Sequence, residues 1–224
     1  MKNVVITGSN RGIGLALVEH YLKQGFNVIA LCRSASDALK NSGANIIEHI
    51  DVGDDKTLVQ LKQQVAEQLK SDHIDILINN AGVLSRESIG ALDTNAIAQQ
   101  FNINSIGPLR VTSQLLPLLV SGSKVAMVTS RMGSMADNTS GGYYGYRMSK
   151  AALNAAGVSL ALDLAPKGVA VALLHPGFVQ TEMVGGGGDI TPKQSAEGLA
   201  AQIEKLTLAN SGGFWHSNGE TLTW

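Results

Sequence analysis

The sequence predicts an α/β protein built on a doubly wound parallel sheet of about seven strands, with helices on both faces. Three observations predict it. Short apolar runs alternate with longer segments of helical rhythm from end to end. The runs are apolar at successive positions rather than at every second one, as strands buried on both faces require. The first run ends in a glycine-rich turn, Thr7 to Gly14, that opens directly onto a helical segment. Right-handed crossovers would then place a ligand crevice at the carboxyl ends of the strands.

Taken in order, Lys2–Thr7 is a first strand, followed by a helix over Ile13–Gln24 that Gly25 stops. Asn27–Leu31 and, after a short weak helix, Asn45–Ile50 are the second and third strands. Asp54–Leu69 reads as one amphipathic helix with Leu58, Leu61, Val65 and Leu69 on a shared face. Ile74–Ile78, Val125–Thr129 and Val169–Leu174 are the fourth to sixth strands. Between them fit helices at Ile97–Leu119, with a break expected near Gly107 and Pro108, and at Met148–Leu164. The tail adds a helix at Pro192–Leu206 and a last strand-like piece near Gly213–His216. No linker or composition shift divides the chain, so residues 1–224 read as a single dinucleotide-binding and catalytic domain. Within it, 181–195 is a short substrate-side loop whose Gly185–Gly188 run predicts a small flexible lid.

Composition narrows the function classes. A net charge of -1 and no dense Lys/Arg run leave no footprint for nucleic acid or an anionic membrane surface. No segment is long and apolar enough to span a bilayer, and Met1 runs almost at once into Val4–Ile6, leaving no room for a signal peptide. The one cysteine, Cys32, makes no internal disulfide, and no Cys/His grouping has metal-ligand spacing, so no metal is expected. These features point to a cytoplasmic protein with a small-molecule partner.

The residues themselves suggest the chemistry. In Thr7-Gly8-Ser9-Asn10-Arg11-Gly12-Ile13-Gly14, Gly8 allows a sharp turn and Gly12 a close backbone approach, while Gly14 lets the helix lie against the strand. The N–H groups at the start of that helix suit the phosphates of a dinucleotide. The second strand ends in Leu31-Cys32-Arg33-Ser34, with an arginine where a carboxylate would take a free ribose 2′-OH. Arg33, with Arg11 as a second positive charge, therefore suits a 2′-phosphate. Tyr146 and Lys150 lie four residues apart and share a helix face, so the ammonium would draw the phenol's pKa toward neutrality and make it a usable acid or base. Neither Tyr143 nor Tyr144 has a lysine at that spacing. His175 reads as packing near a strand end, and His20, His49, His73 and His216 have no partner spacing.

This set of motifs resembles the classical short-chain dehydrogenase/reductase family, whose fold is a Rossmann domain. The Thr-Gly-x-x-x-Gly-x-Gly spacing and Asn79-Asn80-Ala81-Gly82 after the fourth strand carry the resemblance, which then extends over nearly the whole chain. It implies NADP(H) as cofactor and hydride transfer between nicotinamide and a carbonyl or alcohol substrate. It implies a catalytic set of Tyr146, Lys150, Ser130 and Asn104, with Ser130 polarising the substrate carbonyl and Asn104 tying Lys150 to a proton-relay water. It also implies a cofactor lining of Gly8, Ser9, Asn10, Arg11, Gly12, Ile13, Gly14, Arg33, Asp51, Val52, Asn80, Ala81, Gly82, Pro176, Gly177, Val179 and Thr181. The family commonly pairs through the helices containing Ser105–Leu119 and Arg147–Leu164, so a homo-oligomer, dimer or tetramer, is expected. Within the family, Ser130–Ser134, Asn138–Arg147 and the short tail look like the C-factor and sniffer-type carbonyl reductase branch. That branch keeps open a second function, a dinucleotide-binding signalling protein with little turnover.

Overall fold

The computed structural model of the protein describes residues 1–224. Seven strands, β1 (Asn3–Thr7), β2 (Asn27–Leu31), β3 (Asn45–Ile47), β4 (Ile74–Asn79), β5 (Leu119–Val128), β6 (Ala170–His175) and β7 (Phe214–His216), form one sheet. Their spatial order is β3-β2-β1-β4-β5-β6-β7 and every neighbouring pair is parallel. The chain builds outward from β1 to β3, then returns to the other side of β1 with β4. That reversal opens a crevice at the carboxyl ends of β1 and β4.

All five residues of β1 and all five of β2 are buried, which explains the apolar runs Val4–Ile6 and Val28–Leu31 within them. Pleating sends alternate side chains to opposite layers. Val4 and Ile6 pack on one face with Leu17 and Val18 of α1 (Gly12–Lys23) and with Leu199 and Ile203 of the C-terminal helix at Pro192–Lys205. Val5 points the other way, into a core shared by Leu61 and Val65 (helix Leu61–Gln68), Val111 and Leu115 (helix Gly107–Leu115), and Leu153 and Leu164 (helix Tyr144–Leu164). In chain order the helices are α1, α2 (Asp37–Lys40), α3 (Leu61–Gln68), α4 (Thr94–Phe101), α5 (Gly107–Leu115), α6 (Tyr144–Leu164) and α7 (Pro192–Lys205). The start of α7 follows its sequence signal: Thr191 and Gln194 form a capping box, with Pro192 at the first helical position.

Several element bounds differ from the sequence reading. The third strand stops at Ile47 because His49 turns into the left-handed region (φ 64°). The predicted helix over Asp54–Leu69 is a 3₁₀ turn, Asp55–Leu58, followed by α3, although Leu58, Leu61 and Val65 do share the buried face. The break expected near Gly107 and Pro108 is a π-helical turn, Asn102–Ile106, joining α4 to α5. At its end Gly107 lies so close to Val52 that an added Cβ would stand 2.9 Å from the valine Cγ2. The fifth strand begins earlier, at Leu119, pairing with Ile74 before a register shift. The sixth helix begins four residues earlier, at Tyr144 rather than Met148.

The glycine turn behaves as its residues require. Gly8 and Gly12 have φ of 65° and 55°, and a Cβ on Gly14 would collide with the carbonyl oxygen of Gly8. Because both partners are backbone, neither can move aside. Gly14→Ala is expected to cost about 1–3 kcal/mol by overpacking, read as a lower urea midpoint with unchanged slope. A wild-type midpoint would show that α1 does not need this approach.

Candidate functional site

The crevice at the strand ends is a cleft of about 650 Å³. Its walls include Gly8, Asn10, Arg11, Gly12, Ile13 and Gly14 from the glycine turn, and Arg33, Asp51 and Val52 from the ends of β2 and β3. Asn80, Ala81 and Gly82 come from the end of β4, Tyr146 and Lys150 from α6, and Pro176 and Thr181 from the segment after β6. The cleft also takes in residues that the sequence did not single out, among them Ile103, Thr129, Glu182 and Met183.

A second fixture holds the first wall to the β4 end. The Thr7 hydroxyl accepts from the backbone N–H groups of Asn80 and Ala81, each at 3.0 Å. In return the Asn80 amide donates to the carbonyls of Thr7 and Gly8 at 3.0 and 3.2 Å. These bonds tie the two strand ends together, and the glycine turn is left facing the cleft.

Not every residue expected at the cleft faces it. Ser9 is fully buried and its hydroxyl donates 3.0 Å to the Leu31 carbonyl, so it ties β1 to β2 rather than facing a ligand. Val179 is buried and bridges to Ile190, and Gly177 (φ 91°) packs between Ile190 and His216. Arg11 lines the cleft and pairs there with Glu182 at 2.5 Å, spanning from the glycine turn to the segment after Thr181. Arg33 is exposed at the cleft edge with no carboxylate partner. Asp51 spends one oxygen on the Gly53 N–H, 2.8 Å, as a turn residue does, while lining the cleft.

Tyr146 is the third residue of α6, where unpaired N–H groups concentrate positive potential. Ser130 lies beside its phenol, buried behind the cleft lining, and the serine hydroxyl caps the 3₁₀ turn after β5 by accepting from Met132 N–H at 3.1 Å. One turn further on, Lys150 is buried, with Nζ 5.7 Å from the centre of the Tyr146 ring. The expected drop in the tyrosine pKa is not found. Burial pushes the Tyr146 phenol up to about 12, against the opposing pull of the neighbouring Ser130 hydroxyl, and brings the Lys150 ammonium down to about 8. The ammonium donates 2.9 Å to the Val128 carbonyl at the end of β5 while lying over the phenol ring.

Asn104 sits within the π-helical turn and is wholly buried. Its amide makes a two-way bond with Val83, accepting from the N–H at 2.8 Å and donating to the carbonyl at 2.9 Å, and donates 3.0 Å to the Ser149 hydroxyl. It therefore meets α6 through Ser149, one residue before Lys150, and not through the lysine itself. The extra backbone looping of the π turn is what sets this side chain inward.

His175 and His216, which their sequence spacing left unconnected, meet edge to face at the ends of β6 and β7, with ring centres 4.8 Å apart. No group of His, Cys, Asp or Glu side chains is placed to hold a metal ion, and no helix is long and apolar enough to cross a membrane.

A parallel sheet with its glycine turn at the switch point, and a tyrosine and a lysine in the wall of the same cleft, define a dinucleotide-fold oxidoreductase. The chain belongs to the short chain dehydrogenase family, which it matches over residues 2–190. It is 40% identical to 1-hydroxy-2-glutathionyl-2-methyl-3-butene dehydrogenase of Rhodococcus sp. (strain AD45), over the full length of both chains. It is 48% identical to C-signal of Myxococcus xanthus across 67% of this chain and 93% of that one. Among solved structures, the carbonyl reductase Sniffer of D. melanogaster superimposes with a TM-score of 0.92 at 31% identity, covering all of both chains. An NADPH-bound carbonyl reductase from chicken fatty liver gives the same TM-score at 28% identity, covering 100% of this chain and 99% of that one.

His175 gives the site a measurable pH signature. Burial, with the charge of neighbouring His216 as a second cause, lowers its pKa to about 3, whereas the unfolded chain protonates it near 6.5. Its folded value being the lower one, acid favours the unfolded chain, and stability drains away as pH falls from about 6.5 toward 3, at up to about 1.4 kcal/mol per unit. Calorimetry between pH 7 and 4 should show a shallower loss of Tm in His175→Gln than in the wild type; parallel curves would assign the acid sensitivity elsewhere.

Proposed function

We propose that the protein is an NADP(H)-dependent oxidoreductase acting on a carbonyl or alcohol, working as a carbonyl reductase. The observation that carries this reading is the placing of Tyr146 and Lys150 one helical turn apart, with Nζ 5.7 Å from the phenol ring centre, in the wall of a cleft that begins at the glycine turn, with Ser130 beside the phenol. The residues fit a dinucleotide on structural grounds. The cleft floor at Gly12 and Gly82 has no Cβ: one at Gly12 would stand 3.3 Å from Thr181, and one at Gly82 3.3 Å from the Asn104 amide oxygen. Arg33, free at the rim, suits a ribose 2′-phosphate, and NADPH in the chicken reductase supports the same choice.

The bound nicotinamide supplies or accepts the hydride. The chain's own groups handle the proton. In reduction, the substrate oxygen takes a hydrogen bond from Ser130 and a proton from Tyr146, whose phenol burial keeps protonated until the oxygen develops charge. The positive end of α6 favours the phenolate left behind, and Lys150 Nζ lies over the same ring, 5.7 Å from its centre. Asn104 holds Ser149, and through it this turn of α6, in place. Run backward, the same groups oxidise an alcohol, the direction named for the Rhodococcus relative.

The C-signal relative favours a second reading, a dinucleotide-binding signalling protein. Two measurements separate them. NADPH and NADH titrations followed by fluorescence should show tighter NADPH binding, with Arg33→Ala losing roughly ten- to hundredfold for NADPH alone, the 1.5–3 kcal/mol of a charged hydrogen bond. Equal affinity for both dinucleotides in the wild type would remove the NADP assignment. Against a panel of aldehydes and ketones, Tyr146→Phe should retain cofactor binding while kcat falls roughly 10²–10⁴-fold. Turnover unaffected by that change, or absent in the wild type, would favour the signalling reading.

A further inference from the structure

We infer that Glu87 is a positioning residue for Tyr146, capping the first turn of α6 from a separate loop. The inference rests on the oxidoreductase reading above. Glu87 lies in the segment between β4 and α4 and is only 5% exposed, an unusual place for a carboxylate unless its oxygens are committed. They are. One oxygen accepts from the Gln100 side-chain amide at 2.6 Å and from the Ser85 hydroxyl; the other accepts from the backbone N–H of Gly145 at 3.2 Å. Gln100, itself buried, is held in turn by Ser85, whose N–H donates to its oxygen at 3.0 Å and whose hydroxyl accepts from its nitrogen at 2.6 Å. The carboxylate, amide and hydroxyl form a closed network, and Gly145 is its only link to α6 among these bonds.

The helix needs that link. Its N-cap residue, Tyr143, has no side-chain bond to the first turn and sits in the left-handed region (φ 52°), after Gly141 and Gly142 in the same region. A tyrosine there is strained, and it is pinned by a second contact to the same acid: the Tyr143 N–H donates 3.0 Å to the backbone carbonyl of Glu87. Glu87 thus holds the residue before the helix with its backbone and the helix's second residue with its side chain. Tyr146 is the next residue along. A carboxylate at this end also meets the favourable end of the helix dipole. Gly145 must lack a side chain for the arrangement to close, since a Cβ would collide with the Gln100 amide and stand 3.0 Å from Ile97 Cα. Glu87 does not line the cleft, so its effect passes through the placement of the phenol and not through contact with substrate.

The test compares wild type, Glu87→Ala, Glu87→Gln and Tyr146→Phe for kcat and KM with a carbonyl substrate, NADPH affinity by fluorescence, and Tm. Wild-type turnover that Tyr146→Phe abolishes secures the underlying reading independently. With that in hand, Glu87→Ala should lower kcat roughly 10- to 100-fold while NADPH affinity stays within about twofold, because the glycine turn and Arg33 lie on other elements. Glu87→Gln, which keeps an acceptor for Gly145 but mismatches one donor with Gln100, should recover part of the loss. Wild-type kcat in Glu87→Ala would overturn the proposal. So would a parallel loss of kcat and NADPH affinity in both variants, which would make Glu87 a residue of general folding.

Discussion

The reciprocal bonding of Thr7 and Asn80 is the constraint on which the rest of the molecule depends. β1 and β4 must lie side by side for the sheet to reverse direction, yet their carboxyl ends must diverge to leave a crevice. One hydroxyl that accepts two N–H groups and one amide that donates to two carbonyls resolve that conflict. Four backbone groups at the fork, the Asn80 and Ala81 N–H and the Thr7 and Gly8 carbonyls, find their partners this way. Gly14 completes the fork by allowing α1 to lie on the Gly8 carbonyl, so helix, strand and turn share one small volume.

From that fork the site is assembled by a second layer of polar contacts reaching to α6. The π turn places Asn104 against Val83 on one side and Ser149 on the other, while the Ser105 hydroxyl donates 2.7 Å to the Ser149 carbonyl. The Thr129 hydroxyl meets Asn154 at 2.7 Å, further along the same helix. α6 is therefore fixed by side chains at several heights, which suits a helix that presents both Tyr146 and Lys150 to the cleft. Lys150, bound to the β5 carbonyl, lies between this layer and the cleft.

Much of this was legible in the sequence because its causes are local. Strands buried on both faces read as unbroken apolar runs, and Val4, Val5 and Ile6 are such a run whichever core each one enters. The glycines of the turn declare themselves by spacing, and Tyr146 and Lys150 by falling one helical turn apart. What did not show in the sequence depends on long-range placement. Nothing near Arg11 announces Glu182, far along the chain, and nothing in the single residue Glu87 announces a helix beginning at Tyr144. The pKa of Tyr146 went the other way for the same reason. Spacing says that an ammonium is near, but only the fold says that the phenol is taken out of water. The helix and strand ends that moved, at Ile47, Leu119 and Tyr144, are places where tertiary contacts override local preference.

The ion pair between Arg11 and Glu182 is short but mostly exposed on both sides. Such pairs contribute little net free energy, about 0–1 kcal/mol, because water and salt serve each partner almost as well. The guanidinium is thus lent to Glu182 rather than given to it. Any anion arriving at the glycine turn competes with that carboxylate on nearly even terms, and its success would untie the Glu182–Val184 turn from the opposite wall. The protein carries its own counter-ion, and exchange of that ion couples occupancy of one side of the cleft to the freedom of the other.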